Sequence, residues 1–410
     1  MAERSATATS PPHPNPLRPN GAEREKENER ERRWSLAAAI ASVATFGIGI
    51  GFSAPLFSLT LEARGTEASL TGFNAAAGYL GVVLGPLWTP LLVRRFGLRP
   101  FMLACLALDI AVFLPMRVFD GLDAWFALRL MLGMVGSSLF TASEAWINML
   151  AGDRSRGRVI GAYAAALAAG FALGPLLLGL TGIRGWTPYL VGAGVTALAA
   201  LPLIGAGPLA RGLGREKGVG LFVILARAPF IVLTVALYGC FESAAMALLP
   251  IWGVRIGFDH AAAAALLTAL GFGSIALQLP IGWLSDKLER VSVLRLCAAG
   301  GFIGAALLPL LADAGPAAIF PAMLIWGGLA AGIYPVALAM AGARFRGAEL
   351  VGANAALITA YGAGSLIGPS LGGIAMDLWN PEGLLAALAL LFALFLAMTW
   401  LGRRRGAARG

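Results

Sequence analysis

The chain has 410 residues, of which 58% are hydrophobic and only 13% charged, about half the charged share of a soluble globular domain. With a mean hydropathy of +0.77, a soluble fold is excluded and an integral membrane protein is indicated. The net charge of +9 is spread over the breaks between apolar runs, which argues for membrane topology and against a nucleic-acid partner.

Residues 1–33 open with Ser, Thr, Pro and Asn and then alternate signs through Glu23-Arg24-Glu25-Lys26-Glu27 and Glu29-Arg30-Glu31-Arg32-Arg33. With no apolar core, this segment reads as a disordered or briefly helical cytoplasmic tail, and it lacks the early apolar run of a cleavable signal. Apolar runs follow at roughly 34–59, 70–93, 100–118, 124–150, 158–181, 186–208, 228–252, 261–284, 293–312, 316–342, 351–376 and 382–401, each long enough to cross about 30 Å of hydrocarbon. The expected fold is therefore all-α, with about twelve transmembrane helices.

Sidedness follows from the basic residues. Alternate breaks carry Arg94, Arg95 and Arg99, then Arg154, Arg156 and Arg158, then Arg211, Arg215 and Lys217, then Lys287, Arg290 and Arg295, then Arg344 and Arg346, and finally Arg403 to Arg405. The other breaks carry Arg64, Arg117, Arg184 and Arg255. The asymmetry predicts a multi-pass protein of the cell membrane with both termini in the cytoplasm.

Three pairs of segments recur at one shift. Ala54-Pro55-Leu56 is similar to Leu249-Pro250-Ile251, the basic turn Pro90 to Gly97 to the hairpin at Gly282 to Arg290, and Gly170-Phe171-Ala172-Leu173-Gly174-Pro175 to Gly364-Ser365-Leu366-Ile367-Gly368-Pro369, all at offsets of about 192–195. They imply two pseudo-symmetric six-helix halves, 34–208 and 228–402, joined by a cytoplasmic linker at 209–227 and followed by a basic tail at 403–410. Such halves place a substrate site between them near the midplane.

Within this frame the hairpin Gly282-x-x-x-Asp286-Lys287-x-x-Arg290 resembles the loop signature of the major facilitator superfamily. Arg129-x-x-x-Gly133 resembles a second signature, and Gly170-x-x-x-Gly174-Pro175 a third, the one associated with antiporters. Ser143-Glu144-Ala145-Trp146 and Tyr334-Pro335-Val336-Ala337, with the Gly364 to Pro369 segment, are similar to the YcaD-like branch of bacterial members. The resemblance implies the major facilitator fold and alternating access. It further implies that Asp286 faces the start of span 5, near Arg154, Arg156 and Arg158, where an acid caps a helix N-terminus. The first-half hairpin departs from the pattern, with Arg94 in place of the usual acid and Pro90 in place of Gly, and the second has Glu289 in place of Gly. A charge-swapped latch between Arg94 or Arg95 and Glu349 is the corresponding expectation. The competing reading is that all these are ordinary cytoplasmic loop charges.

Ionisable residues inside spans are costly and mark pathways. Glu242 lies mid-span in a helix that the resemblance puts beside the central cavity, which makes it a candidate proton carrier and cation-binding group; a structural hydrogen bond is the competing role. Arg129 would attract an anion or tune a neighbouring acid. It cannot meet Glu144 on the same span, since fifteen residues separate them by about 22 Å. Glu144 either lines the inner vestibule or pairs with a loop arginine such as Arg158. Asp109 reads as a helix-packing residue. Tyr334 and Trp326 are candidate aromatic walls or, equally, core fillers. Gly170, Gly174 and Pro175, with Gly364, Gly368 and Pro369, permit either bending or close packing of their helices.

Soluble-enzyme chemistry has no representative. Cys105, Cys240 and Cys297 lie inside apolar runs without paired or ligand spacing, and His13 and His260, the two histidines, form no metal motif or nucleotide fingerprint. The expectation is a non-enzyme with no cofactor or metal: a monomeric secondary transporter of a small molecule in the lipid bilayer, coupled to protons, with export favoured over uptake. Its rivals are a uniporter or uptake carrier without proton coupling, and a non-transporting membrane sensor or scaffold. A membrane-embedded enzyme lacks a catalytic constellation.

Overall fold

The computed structural model describes residues 21–150, 156–205, 221–346 and 348–407. Twelve long helices account for the membrane region: α1 (Gly21–Ala63), α2 (Ala68–Phe96), α3 (Leu98–Phe113), α4 (Leu122–Leu150), α5 (Arg156–Thr181), α6 (Thr187–Leu198, continued by Ala200–Gly205), α7 (Pro229–Arg255), α8 (His260–Lys287), α9 (Arg290–Leu307), α10 (Pro316–Ala331, continued by Ile333–Arg344), α11 (Ala348–Leu378) and α12 (Gly383–Ala407). Eleven of these are long and apolar enough to cross a membrane by length and composition, and α11, at 31 residues, is the twelfth. A short helix, Leu221–Arg227, precedes α7. An even number of crossings brings the start of α1 and the end of α12 to the same face, called here the terminal face; the opposite one is the far face.

The charged stretch from Gly21 to Arg33 continues α1, the helical of the two conformations expected for it. Its Glu, Arg and Lys residues are good helix formers with oppositely charged side chains three and four apart in sequence, and the membrane-length run beyond it supplies the nucleus. Residues 1–20 and 206–220, which hold the rest of the expected tail and most of the expected linker, lie outside the described residues. Two span ends also differ. The third helix tightens into a 3-10 turn at Leu114–Arg117, where Pro115 cannot donate to the α ladder, and α12 runs through Arg403 to Arg405.

The pairing of helices repeats across the halves. α1 packs on α5 as α7 does on α11, and α2 packs on α4 as α8 does on α10. Close approach requires small residues. A methyl group on Gly170 would strike the α1 backbone at Ala44 and Ile48, and one on Gly364 the α7 backbone at Ala236 and Cys240. The halves meet through α2 with α11 and α5 with α8, again related by the pseudo-symmetry. Large aromatics close each core: Trp125 with Phe57 in the first half, and Phe241 against Trp326 and Phe392 in the second.

Candidate functional site

Glu242 stands near the middle of α7, half-buried, and its carboxylate accepts a 2.6 Å hydrogen bond from the Tyr361 hydroxyl of α11. Tyr238, one turn earlier on α7, is also within hydrogen-bonding reach. The approach that brings α11 this close rests on Gly239, whose missing side chain is replaced by the Tyr361 backbone. Tyr334 of α10 completes a cluster, with ring centroids 5.3 Å from Tyr238 and 6.2 Å from Tyr361. Tyr79 of α2 reaches in from the other half and lies within electrostatic reach of Glu242 and Arg129. Four of the six tyrosines in the chain thus converge on one carboxylate.

Arg129 lies toward the far face on α4. Its guanidinium sits 4.7 Å above the Phe57 ring of α1 and about one van der Waals contact from Gly78 of α2, 3.5 Å from where a methyl would stand. Among the described residues it has no carboxylate partner; the ion pairs there are Arg64 with Asp120, Arg227 with Glu349 and Arg255 with Glu62. Glu144, toward the terminal face on α4, is exposed and is within electrostatic reach of Tyr334 across the halves. It makes no ion pair with Arg158 among the described residues.

Other candidates fall outside this cluster. Asp109 accepts from Thr196 of α6 at 3.3 Å, a packing contact. Trp326 is buried and donates to the Gly301 carbonyl at 2.8 Å, which makes it a core residue rather than a cavity wall. Gly174 and Gly368 lie against the α1 and α7 backbones, and Pro175 and Pro369 sit inside continuous helices.

The loop residues are arranged within halves. Lys287 lies 3.9 Å above the Trp283 ring, Arg290 donates to the Ala339 carbonyl at 2.9 Å, and Gly282 has open space around it. Asp286 is exposed and has no ion-pair partner among the described residues; Arg154 and the Arg156 side chain lie outside them. Arg94 and Arg95 are exposed, with Arg95 above the Phe96 ring. Glu349 pairs not with either of them but with Arg227, at 2.6 Å. The expected Arg94 or Arg95 contact is therefore absent from this state, because Arg227 of the same half is nearer.

Contacts across the halves concentrate at the far face. Asp377 of α11 accepts from the backbone N–H groups of Ala68 at 2.9 Å and Ser69 at 2.8 Å, capping α2 from the opposite half. Arg255 of α7 holds Glu62 of α1 through two bonds, 2.8 and 2.9 Å, and Asn380 through a third at 3.0 Å. Thr268 of α8 donates to the Ala172 carbonyl of α5 at 2.9 Å. No side-chain hydrogen bond or ion pair crosses the halves at the terminal face among the described residues.

Twelve membrane helices in two repeated halves, joined by contacts at one face and carrying a half-buried acid at mid-span, define a polytopic carrier. The family model of the Major Facilitator Superfamily matches residues 36–333 and, a second time, 231–410: the chain belongs to this superfamily of membrane transporters. It is 26% identical over 333 residues to the MFS-type transporter YcaD of Salmonella enteritidis, covering 80% of this chain and 85% of that one. It is 27% identical over 255 residues to the MFS-type transporter YfkF of Bacillus subtilis, covering 60% of this chain and 64% of YfkF, less than two thirds of that relative's length. Among solved structures, a mutant form of the nucleoside transporter NupG superposes with a TM-score of 0.75 at 11% identity, covering 90% of this chain and 98% of the other. An inward-facing, unoccupied bacterial homologue of the human lysosomal transporter Spinster gives 0.73 at 14% identity, covering 90% and 95%. At these identities the structures share the fold alone.

Proposed function

We propose that the chain is a proton-coupled secondary transporter of a small amphipathic molecule, working in a bacterial cell membrane with the terminal face cytoplasmic, and exporting its substrate. The observation that carries this reading is Glu242, a carboxylate at mid-depth held by Tyr361 at 2.6 Å and ringed by tyrosines from both halves. A carboxyl group at that depth exchanges its charge only when the cavity hydrates or a cation arrives, so proton release and binding of a cationic substrate compete for one site. The aromatic faces add cation–π attraction, about 0.5–2 kcal/mol each.

In this cycle the residues 34–208 and 228–402 rock about the shared cavity, and the present state, with its far-face contacts, is the one open to the cytoplasm. The Gly-Pro segments support export through their similarity to the antiporter signature. A second reading, uniport, draws on the same geometry: Tyr361 already donates to the Glu242 carboxylate, which then binds substrate without exchanging a proton.

Reconstitution in proteoliposomes separates the two. Glu242→Gln is expected to abolish substrate-driven proton flux while leaving substrate counterflow exchange measurable. Proton flux equal to the wild type would remove Glu242 from the coupling, and substrate flux without any proton movement in the wild type would establish uniport.

A further inference from the structure

Near Arg129, toward the far face, lies a small cavity of about 10 Å³, which is room for one small particle. Its walls come from α1 (Ala54, Phe57, Ser58, Leu61), α2 (Thr71, Asn74, Ala75), α4 (Arg129) and α7 (Ala247). Thr71 and Asn74 are 2% and 1% exposed, and they share one face of α2, three residues apart. The Thr71 hydroxyl, the Asn74 side-chain amide nitrogen and the Arg129 Nε are all buried without a hydrogen-bond partner among the described residues. Three orphaned groups around one cavity are far from the usual case, since buried donors are nearly always satisfied.

All three can donate, and one is a cation with no carboxylate at ion-pair distance. The Arg129 side chain is half-buried, and leaving its buried Nε–H without an acceptor is costly; the Phe57 ring offsets only part of that cost. A compact acceptor carrying negative charge would satisfy all three donors at once. We propose that Arg129, Thr71 and Asn74 form a binding site for a halide-sized anion, chloride being the physiological candidate. The charge-assisted bond to Arg129 supplies most of the affinity, and Thr71 and Asn74 supply the remaining donors.

The location gives the ion a conformational role. One wall, Ala247, belongs to the second half, and the other wall residues to the first. Separating the halves at the far face removes that wall and admits water, so the anion binds the far-face-closed state more tightly. A ligand shifts an equilibrium only by such a difference. Chloride thus acts as a reversible stabiliser of the closed far face, independently of what the central cavity carries.

The test uses purified full-length protein in detergent, exchanged at constant ionic strength from sodium gluconate into sodium chloride, sodium bromide or sodium sulfate. Chloride and bromide are expected to raise the melting temperature saturably, by about 2–4 °C, whereas gluconate and sulfate, too large for the cavity, leave it unchanged. A paired cysteine-labelling assay at the far face should show labelling suppressed severalfold by chloride. Thr71→Val with Asn74→Leu is expected to abolish both responses, with the melting temperature in gluconate showing whether this variant folds. If it does not fold, Arg129→Gln, which removes the charge, serves instead. Identical stability and labelling of the wild type in chloride and gluconate would overturn the proposal and assign the cavity to a structural water.

Discussion

The two faces of the same seam are held together by different means. At the far face the halves share an interhelical cap, a two-bond ion pair and a side-chain-to-carbonyl bond: Asp377 on the start of α2, Arg255 on Glu62, Thr268 on Ala172. At the terminal face three of the described basic residues turn inward to their own half, Arg227 to Glu349, Arg290 to the Ala339 carbonyl, Arg344 to the Arg227 carbonyl. The contrast shows that charge density does not by itself close a gate. The terminal face holds most of the cations of the sequence, and among the described residues no side-chain hydrogen bond or ion pair joins its halves.

The comparison can be broken most forcefully through the backbone crossing. A methyl on Gly72 would meet the Pro369 carbonyl, and one on Gly373 the Ala68 carbonyl; such overpacking costs about 1–3 kcal/mol. Gly72→Ala is expected to lower far-face closure roughly 5- to 160-fold, read as a matching rise in far-face cysteine labelling. Unchanged labelling would mean that the seam relaxes around the extra methyl.

Asp377→Ala is next. Losing an N-cap costs about 0.5–2 kcal/mol, so labelling should rise about 2- to 30-fold, with Asp377→Asn intermediate. A smaller effect is expected from Glu62→Gln. The pair is only 16–17% exposed and engages two bonds, but part of its Coulomb gain is spent on desolvation, and a shift of about 2- to 5-fold is expected. Exchanging the two charges, Glu62→Arg with Arg255→Glu, should restore part of the closure; no restoration would show that the residues act separately.

The smallest effect belongs to the terminal face. There the pairing of Glu349 with Arg227 is about half exposed on both sides and is worth about 0.3–1 kcal/mol at most. Double-mutant cycles on that pair and on Arg94 with Glu349 are expected to give coupling for the first in the present state. Coupling for the second should appear only when the terminal face closes. Additivity for Arg94 with Glu349 in every state would dismiss the charge-swapped latch.

Much of the fold was legible because hydrocarbon thickness and positive-charge bias write themselves into run lengths and breaks. The repeated segments then located the pseudo-symmetry, down to Gly170 and Gly364. Glu242 and Arg129 were legible for the same reason that they are expensive: few ionisable residues lie inside spans. Their surroundings were not. Tyr361 is 119 positions from Glu242, and Tyr79 approaches from the other half, so no periodicity along one helix could join them. Scarcity was the available signal, six tyrosines in 410 residues. Asp377, Glu62 and Arg255 were invisible as contacts, since a charge beside a span reads first as topology. Their meeting depends on how two halves dock.

Gly72 against Pro369 and Gly373 against Ala68 also bear on leakage. Where main chain lies directly on main chain, a single file of water has no space, and without that file protons have no relay. A carrier turns over rarely compared with the rate at which an open pore would discharge the membrane potential. Between turnovers it has to behave as an electrical insulator, and here the insulation is polypeptide backbone, brought into contact by the absence of two side chains.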